Sequence, residues 1–358
     1  MQRSCESRVQ DHRWLLLPTQ RKPIRSNIYR YGDVEKAISP PNIVNKSSIP
    51  LGETMKSKII SDHRSFILDG AMGTELQSRG VPMDDLMWSA SALETDLKLV
   101  RQIHEDYIRS GADVIITNTF ATSRSVLTAG GKANRFRDFN QLAVEVSLEA
   151  RKATGREQQV LVAGSMSSFF AGLVKDMEPN HSRLATDYHE QAMLLAESGV
   201  DLIVLEMMLS ADQANAGINA AIAAKLPVWV GFSCRTDRSS GDVLMLERPG
   251  SSTFDTVLSR TNLSPTEAVF VMHTDVADVP EALRLVKKHW KGPFGAYAHS
   301  GDFVMPNWVF RDTISPKVYA AAANYWSSLG CIAIGGCCGT TPDHIQALKL
   351  ELGHLKGP

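Results

Sequence analysis

The sequence predicts a closed barrel of eight parallel strands alternating with helices, a (β/α)8 or TIM barrel. Eight short apolar runs recur from residue 66 onward, and each is followed by a longer amphipathic stretch. The runs are almost continuously apolar, which is typical of parallel strands buried on both faces of a sheet. Roughly 290 residues are available for these units, a length that one such barrel occupies.

The predicted strands follow one another along the chain. They span residues 66–70, 113–118, 160–164, 202–206, 228–232, 269–273, 294–299 and 331–336. The segments between them are predicted helices, most clearly 93–110, whose start we assign to Ser89 or Ser91, and 188–198. A doubly wound open sheet is the alternative, but it needs a phosphate-binding or dinucleotide-binding glycine motif, whose spacing residues 70–73 lack.

Residues 1–60 differ from the rest of the chain. They contain scattered arginines, five prolines and no sustained period of 2 or 3.6. We therefore predict a disordered or loosely attached extension over 1–60 and the barrel over 61–358. Acidic residues in the extension argue against an organelle transit peptide, and the apolar run at 14–17 is too short for a signal-peptide core. Met55 is a candidate for the natural start.

Composition and charge exclude several classes of partner. The 358 residues are 43 % hydrophobic and 22 % charged with a net charge of −1, so no basic surface for nucleic acid or an anionic membrane is expected. No apolar stretch approaches the roughly 20 residues that span a bilayer. Five cysteines in so long a chain argue against a disulfide framework and for a reducing compartment, predicted here to be the cytoplasm. The expected partners are small molecules, and nothing in the sequence sets the oligomeric state.

Polar side chains stand where the predicted strands end. In barrels of this type the active site forms at the carboxyl-terminal ends of the strands, so these side chains are expected to line one cavity. They are Asp69, Asn118, Thr119, Ser165, Ser167, Glu206, Cys234, His273, His299, Cys337 and Cys338.

Two adjacent cysteines, Cys337 and Cys338, lie among three glycines at the end of the last predicted strand. Neighbouring side chains of a regular strand point to opposite faces, but glycines allow a turn that aims both sulfurs at one point. Two thiolates suit a soft cation, and zinc with a third protein ligand and an open fourth position fits best. By chemistry alone the third ligand is Cys234, His273 or His299.

Three segments resemble motifs of the homocysteine S-methyltransferase family. The opening motif of that family resembles residues 68–76, LDGAMGTEL, and its second-strand motif resembles residues 111–120, GADVIITNTF. Its zinc-binding signature resembles residues 335–339, GGCCG, and the similarity extends over about residues 63–350.

This resemblance implies a zinc-dependent barrel that moves a methyl group from a cationic donor onto the sulfur of homocysteine, giving methionine. Coordination would remove the proton of a thiol whose pKa is otherwise near 8.5. By the same resemblance, Asp69 and Glu206 hold the amino group of the amino acid, with Gly70, Asn118 and Thr119 in the same pocket.

One departure from the family pattern concerns the metal. Family members have three cysteine ligands, the first following an asparagine at the end of the sixth strand, whereas Met272 and His273 occupy those places here. The resemblance therefore implies a Zn²⁺ site of His273, Cys337 and Cys338. The alternatives are a methyltransferase with another thiol acceptor or another donor, such as a betaine, and a catalytically silent paralogue that binds a metal or an amino acid.

Overall fold

The computed structural model of the chain describes residues 66–169, 181–246, 252–304, 309–311 and 313–353. Its strands are β1 (Phe66–Ile67), β2 (Val114–Ile116), β3 (Leu161–Ser167), β4 (Leu202–Met208), β5 (Val228–Phe232), β6 (Cys234–Thr236), β7 (Val243–Met245), β8 (Ala268–Asp275), β9 (Phe294–His299), β10 (Asp302–Val304), β11 (Val309–Arg311) and β12 (Ala333–Gly336). The predicted extension, residues 1–60, lies outside the described residues.

Eight of these strands form one parallel sheet in the spatial order β1-β12-β9-β8-β5-β4-β3-β2. A parallel bridge between Leu68 and Val114 joins β1 to β2, the two ends of that order. The sheet thus closes on itself, and the predicted (β/α)8 barrel is confirmed.

Helices lie between the barrel strands, as the amphipathic segments predicted. They are α1 (Met72–Ser78), α2 (Ala92–Thr95), α3 (Leu97–Ser110), α4 (Arg124–Ala129), α5 (Phe136–Ala153), α6 (His181–Ser198), α7 (Ala211–Ala223), α8 (Phe254–Arg260), α9 (Val279–His289), α10 (Pro316–Ser328) and α11 (Pro342–Gly353). Among the described residues, no helix is both long and apolar enough to cross a membrane.

The predicted helix 93–110 is divided at Asp96 into α2 and α3. The expected serine cap is wrong, because neither helix receives a side-chain cap from the preceding residue. Ser91 donates to the Trp88 carbonyl, and Ser89 donates instead to Asn118. A tertiary hydrogen bond has therefore replaced the local one.

Two antiparallel hairpins were not predicted. The first pairs β6 with β7 and the second pairs β10 with β11. Each lies between a barrel strand and the helix that follows it, and therefore on the side of the barrel where the strands end. Each of these strands has only three residues, too few for a clear hydrophobic period.

Large side chains fill the inside of the ring, and glycines on neighbouring strands make room for them. Trp229 and Phe270 stack in this inner layer with ring centroids 5.3 Å apart. A Cβ atom on Gly295 would lie 2.3 Å from a Phe270 ring carbon and 2.3 Å from the carbonyl oxygen of Ala333. The absence of a side chain at Gly295 therefore leaves the space that the Phe270 ring occupies in the inner layer.

We expect Gly295→Ala to lower the free energy of unfolding by about 3 kcal/mol, because extra atoms in a filled interior force side chains and backbone apart. The corresponding fall in melting temperature is about 6–12 °C. Gly353→Ala at the end of α11 is the matched control, since a Cβ there meets no atom within 4 Å. Urea and thermal denaturation measure both variants. A Gly295→Ala protein as stable as the control would contradict this account of the inner layer.

Candidate active site

A cavity of about 490 Å³ opens where the barrel strands end. Its walls come from the ends of β1, β2, β3, β4, β8, β9 and β12, so residues far apart in sequence meet there. Its lining residues include Asp69, Gly70, Trp88, Ser89, Asn118, Phe120, Phe169, Glu206, Met207, Leu246, His273, Tyr297, Cys337 and Cys338.

Three residues that line this cavity have positive φ: Trp88 in a loop, and Met207 and His273 in barrel strands. Met207 and His273 have φ values of +56° and +46°, and the register of β4 and of β8 shifts at the same places. Such angles cost a residue with a side chain on the order of 1–2 kcal/mol, and they break the alternation of a regular strand. Met272 consequently packs inside the barrel while its neighbour His273 also faces the cavity. Strain of this kind concentrates at functional sites.

Cys337 and Cys338 follow β12 in a tight turn. Their Sγ atoms lie 3.5 Å apart, and both thiols are free. The Thr340 hydroxyl closes the turn by donating to the Cys337 carbonyl at 2.6 Å. Gly339 leaves the turn with a φ of +80°, where a Cβ would lie 2.6 Å from the Ser300 carbonyl oxygen. Both sulfurs therefore border the same cavity.

The two thiols differ in acidity. The hydrogen bond donated by Cys337 and the contact with His273 lower the pKa of Cys338, whereas burial raises the pKa of Cys337. One sulfur of the pair is thus poised to be a thiolate near neutral pH, which is the form that binds soft metals.

His273 links the sulfur pair to Glu206. Its Nδ1 atom lies 2.7 Å from Cys337 Sγ, and its Nε2 atom lies 3.1 Å from Glu206 Oε2. The other carboxylate oxygen of Glu206 accepts a hydrogen bond from the Ser165 hydroxyl. Burial lowers the pKa of His273, but the attraction of Cys338 and Glu206 outweighs burial and raises it to about 9. The imidazole thus lies between two acidic groups, the sulfur pair at Nδ1 and the Glu206 carboxylate at Nε2.

Asp69 is a second buried carboxyl group in the cavity. Its Oδ2 accepts from the Ile116 amide at 2.8 Å, and its Oδ1 accepts from the Tyr297 hydroxyl at 3.3 Å. Burial raises the pKa of Asp69 well above its usual value, and the charge of Glu206 adds to that rise. A cationic group bound beside the two carboxyl groups would relieve this repulsion and favour the carboxylate.

Three aromatic rings form one wall of the cavity. Trp88, Phe120 and Phe169, which we call the aromatic wall, have ring centroids 5.3–6.2 Å apart. The Phe120 centroid lies 5.6 Å from that of His273, so the aromatic wall adjoins the imidazole. Aromatic faces attract cations, most strongly where water is excluded.

The amide of Asn118 is engaged by a neighbouring loop. Its Oδ1 accepts from the Ser89 hydroxyl at 2.7 Å, and its Nδ2 donates to the Ser89 carbonyl at 2.9 Å. Thr119 does not line the cavity: its buried hydroxyl donates to the Ser165 carbonyl at 2.7 Å. Asn118 thus ties the loop that carries Trp88 to the barrel, and Thr119 braces the backbone of Ser165.

Comparison with known families decides the identity of the barrel. The family model described as homocysteine S-methyltransferase matches residues 66–352, which is nearly all of the barrel. The chain belongs to the homocysteine S-methyltransferase family. The predicted resemblance is confirmed, and with it the predicted enzyme class, an S-methyltransferase.

Two plant methyltransferases and one bacterial structure are similar to this chain over most of their length. Homocysteine S-methyltransferase 2 of Zea mays is 28 % identical over 310 residues, which are 80 % of this chain and 89 % of that protein. Selenocysteine methyltransferase of Astragalus bisulcatus is 28 % identical over 348 residues, 85 % of this chain and 98 % of that protein. The metallated form of the homocysteine methyltransferase MmuM of Escherichia coli shares the fold, with a TM-score of 0.68 and 24 % identity over 83 % of this chain and 99 % of MmuM.

The sequence left three candidates for a third metal ligand in this family member, and the structure separates them. His273 lines the cavity with Cys337 and Cys338, whereas Cys234 and His299 do not. The buried Cys234 Sγ lies 3.7 Å from the Thr274 hydroxyl, in the layer between strands and helices.

Sequence reasoning missed the aromatic wall and Tyr297 as parts of the site. Trp88 and Phe169 lie in loops with no periodic signal, and Phe120 follows the second strand among small residues. Tyr297 was available as a signal, because it is the one polar side chain among the apolar residues 294–298 of the seventh predicted strand.

Proposed function

We propose that this family member transfers a methyl group from a cationic donor to the thiol of homocysteine, giving methionine, in a zinc-dependent reaction. The observation that carries the proposal is that a soft sulfur pair, two buried carboxyl groups and the aromatic wall all border the same cavity. A related acceptor such as a selenol is the nearest alternative, because one of the similar proteins is named selenocysteine methyltransferase.

The residues that would hold zinc are Cys337, Cys338 and His273. Among the described residues, no three His, Cys, Asp or Glu side chains are already spaced as a metal site. The donor chemistry nevertheless fits: the 3.5 Å between the sulfurs is close to the roughly 3.8 Å edge of a tetrahedron with 2.3 Å Zn–S bonds. The imidazole Nδ1 and Cys337 Sγ would have to separate by about 1 Å to share one ion. When bound, zinc would lower the pKa of an acceptor thiol and hold it as a thiolate.

The acceptor is proposed to bind through its ammonium group to Asp69 and Glu206. These two carboxyl groups face one cavity; burial raises the pKa of Asp69 well above its usual value, and repulsion by Glu206 adds to the rise. Gly70 lines this part of the pocket and lets the buried Tyr107 ring pack against its backbone, since a Cβ there would lie 2.6 Å from that ring. Asn118 and Thr119 support the pocket through Ser89 and Ser165 rather than through free polar groups.

The reaction is a displacement at the methyl carbon. The acceptor sulfur forms a bond to that carbon as the bond from carbon to the onium atom of the donor breaks, and the thiol proton goes to solvent. A sulfonium donor leaves as a neutral thioether, a quaternary ammonium donor as a neutral tertiary amine, and a methylcorrinoid donor as the Co(I) corrinoid. The aromatic wall is proposed to hold the onium group by cation–π attraction. This attraction is lost once the charge is neutralised, and its loss favours release of the demethylated donor.

We expect Trp88→Ala to raise the KM for the donor about tenfold, because a desolvated cation–π contact contributes about 0.5–2 kcal/mol. Trp88→Phe keeps an aromatic face and is expected to raise it much less. Initial rates at varied donor and fixed saturating acceptor measure the effect, and the reverse titration gives the KM for the acceptor. A rise confined to the KM for the acceptor would show that the aromatic wall binds the acceptor and not the donor.

Product analysis tests the function as a whole. Purified protein is incubated with homocysteine, or with selenocysteine kept reduced, and with a sulfonium, a quaternary ammonium or a methylcorrinoid donor in turn. Methionine formed with at least one cationic donor supports the proposal. Methylation of selenocysteine alone would change the acceptor, and no methyl transfer in any combination by zinc-loaded protein would favour a catalytically silent binding protein.

The free state of the four described cysteines supports placing the protein in a reducing compartment such as the cytoplasm.

A further inference from the structure

We propose that Glu206 is a positioning residue for His273: it holds the imidazole in the tautomer and orientation that present Nδ1 to Cys337 and Cys338. This inference rests on the proposed zinc site and adds a second role to Glu206 beyond binding the acceptor. It follows from the histidine at position 273. An imidazole ligand has a second nitrogen, and the proton on that nitrogen needs a hydrogen-bond acceptor, whereas a thiolate ligand has no such proton.

The contacts of His273 match those of a metal-binding histidine. One ring nitrogen, Nδ1, lies 2.7 Å from a sulfur of the soft pair, and the other, Nε2, lies 3.1 Å from Glu206 Oε2. A neutral imidazole carries one proton, so donating it from Nε2 to a carboxylate leaves the lone pair of Nδ1 free for a metal. A carboxylate in this place also raises the basicity of the ligand.

Glu206 is itself fixed, which a positioning residue requires. Its side chain is only 7 % exposed, and its Oε1 atom accepts from the hydroxyl of the fully buried Ser165. Ser165 is held in turn by Thr117 and Thr119, since its amide donates to the Thr117 hydroxyl at 3.2 Å and its carbonyl accepts from Thr119 at 2.7 Å. The carboxylate therefore reaches His273 from a rigid base.

The backbone is distorted at both ends of this contact. Glu206 directly precedes Met207, and both Met207 and His273 have left-handed φ values where β4 and β8 shift register. These strands are not neighbours, because β5 lies between them. Glu206 faces the cavity by ordinary strand alternation, two residues after Val204 of the inner layer, whereas His273 follows the inward Met272 and faces the cavity only because β8 is irregular there.

The test measures metal binding rather than turnover. Full-length wild type, Glu206→Ala, Glu206→Gln and Ser165→Ala are titrated with Zn²⁺ against a chromophoric chelator, and the absorption of the Co²⁺-loaded proteins is recorded. Asp69→Asn is the matched control, a buried carboxyl group of the same cavity that contacts Ile116 and Tyr297 instead of His273.

We expect Glu206→Ala to weaken Zn²⁺ binding by about 10- to 100-fold, the usual effect of losing a carboxylate behind a histidine ligand. Glu206→Gln should recover part of this loss, because its amide oxygen still accepts the Nε2 proton, and Ser165→Ala should lose less than Glu206→Ala. The Co²⁺ spectrum of Glu206→Ala should differ from that of wild type, while Asp69→Asn should keep both the affinity and the spectrum.

Two results would overturn the inference in distinguishable ways. If wild type binds Zn²⁺ and Glu206→Ala binds it equally tightly with an unchanged Co²⁺ spectrum, Glu206 does not position His273 and the proposed function survives. If folded wild type binds no Zn²⁺, the proposed metal site fails and this inference fails with it. Should Glu206→Ala not fold, Glu206→Gln and Ser165→Ala decide by the same measurements.

Discussion

Cys338→Ser is expected to release zinc and to slow methyl transfer to homocysteine by about a thousandfold, since a metal ion supplies several kcal/mol of activation in such sites. A serine hydroxyl stays protonated and is a poor zinc ligand. Without coordination, an acceptor thiol with a pKa near 8.5 is only a few per cent ionised at about pH 7. The remaining side chains of the cavity still bind the substrates, so the loss should fall on kcat more than on KM.

Zinc content by mass spectrometry of metals and methionine formation are measured on the same preparation. Cys234→Ser is the matched control, because it changes a buried thiol that does not line the cavity. We expect the control to keep its zinc and its activity per folded molecule. Full activity of Cys338→Ser, or of wild type stripped of metal by a chelator, would show that the sulfur pair serves another purpose.

His273→Ala is expected to weaken zinc binding by about a hundredfold, because a site worth about 10–16 kcal/mol divided over four ligands loses about 3 kcal/mol with one of them. His273→Cys is the informative companion variant. It places a thiolate where family members carry their first cysteine ligand, so we expect it to keep zinc and lose only the contact with Glu206.

Chelator competition and activity assays on both variants separate the alternatives for the third ligand. Tight zinc binding by His273→Ala would exclude His273 from the metal and turn attention to His299, since Cys234 is buried in the layer between strands and helices. If His273→Cys loses zinc while His273→Ala keeps it, His273 acts on the acceptor thiol or the donor instead.

Much of the fold could be predicted from the chain because the relevant signals are local. Each barrel strand is a short apolar run, and the helix that follows has its own period, so the order of elements can be read without any tertiary contact. The prediction fails where a distant partner competes with a local one. Ser89 has the chemistry of a helix cap, but its hydroxyl binds Asn118, 29 residues away in sequence.

The candidate site was only partly predictable for the same reason. Residues at strand ends are visible in sequence once a barrel is assumed, which accounts for Asp69, Glu206, His273, Cys337 and Cys338. The aromatic wall comes from two loops and one strand end, and no rule of spacing joins such residues. Thr119 has the right position in sequence, but the chain turns after β2, where the Thr119 amide donates to the Thr117 carbonyl at 2.7 Å, and the Thr119 hydroxyl donates to the Ser165 carbonyl.

The sequence by itself determined that this protein is a (β/α)8 barrel with two adjacent sulfurs at the end of its last strand. Periodicity and a glycine-bounded cysteine pair are properties of neighbouring residues, so no folding is needed to see them. Only the tertiary structure decided that His273, rather than Cys234 or His299, shares a cavity with those sulfurs, and that Glu206 lies against its second nitrogen. The physical reason is the register shift in β8, where the left-handed His273 turns inward a side chain that a regular strand would have turned away, toward a Glu206 that ordinary alternation in β4 already directs inward.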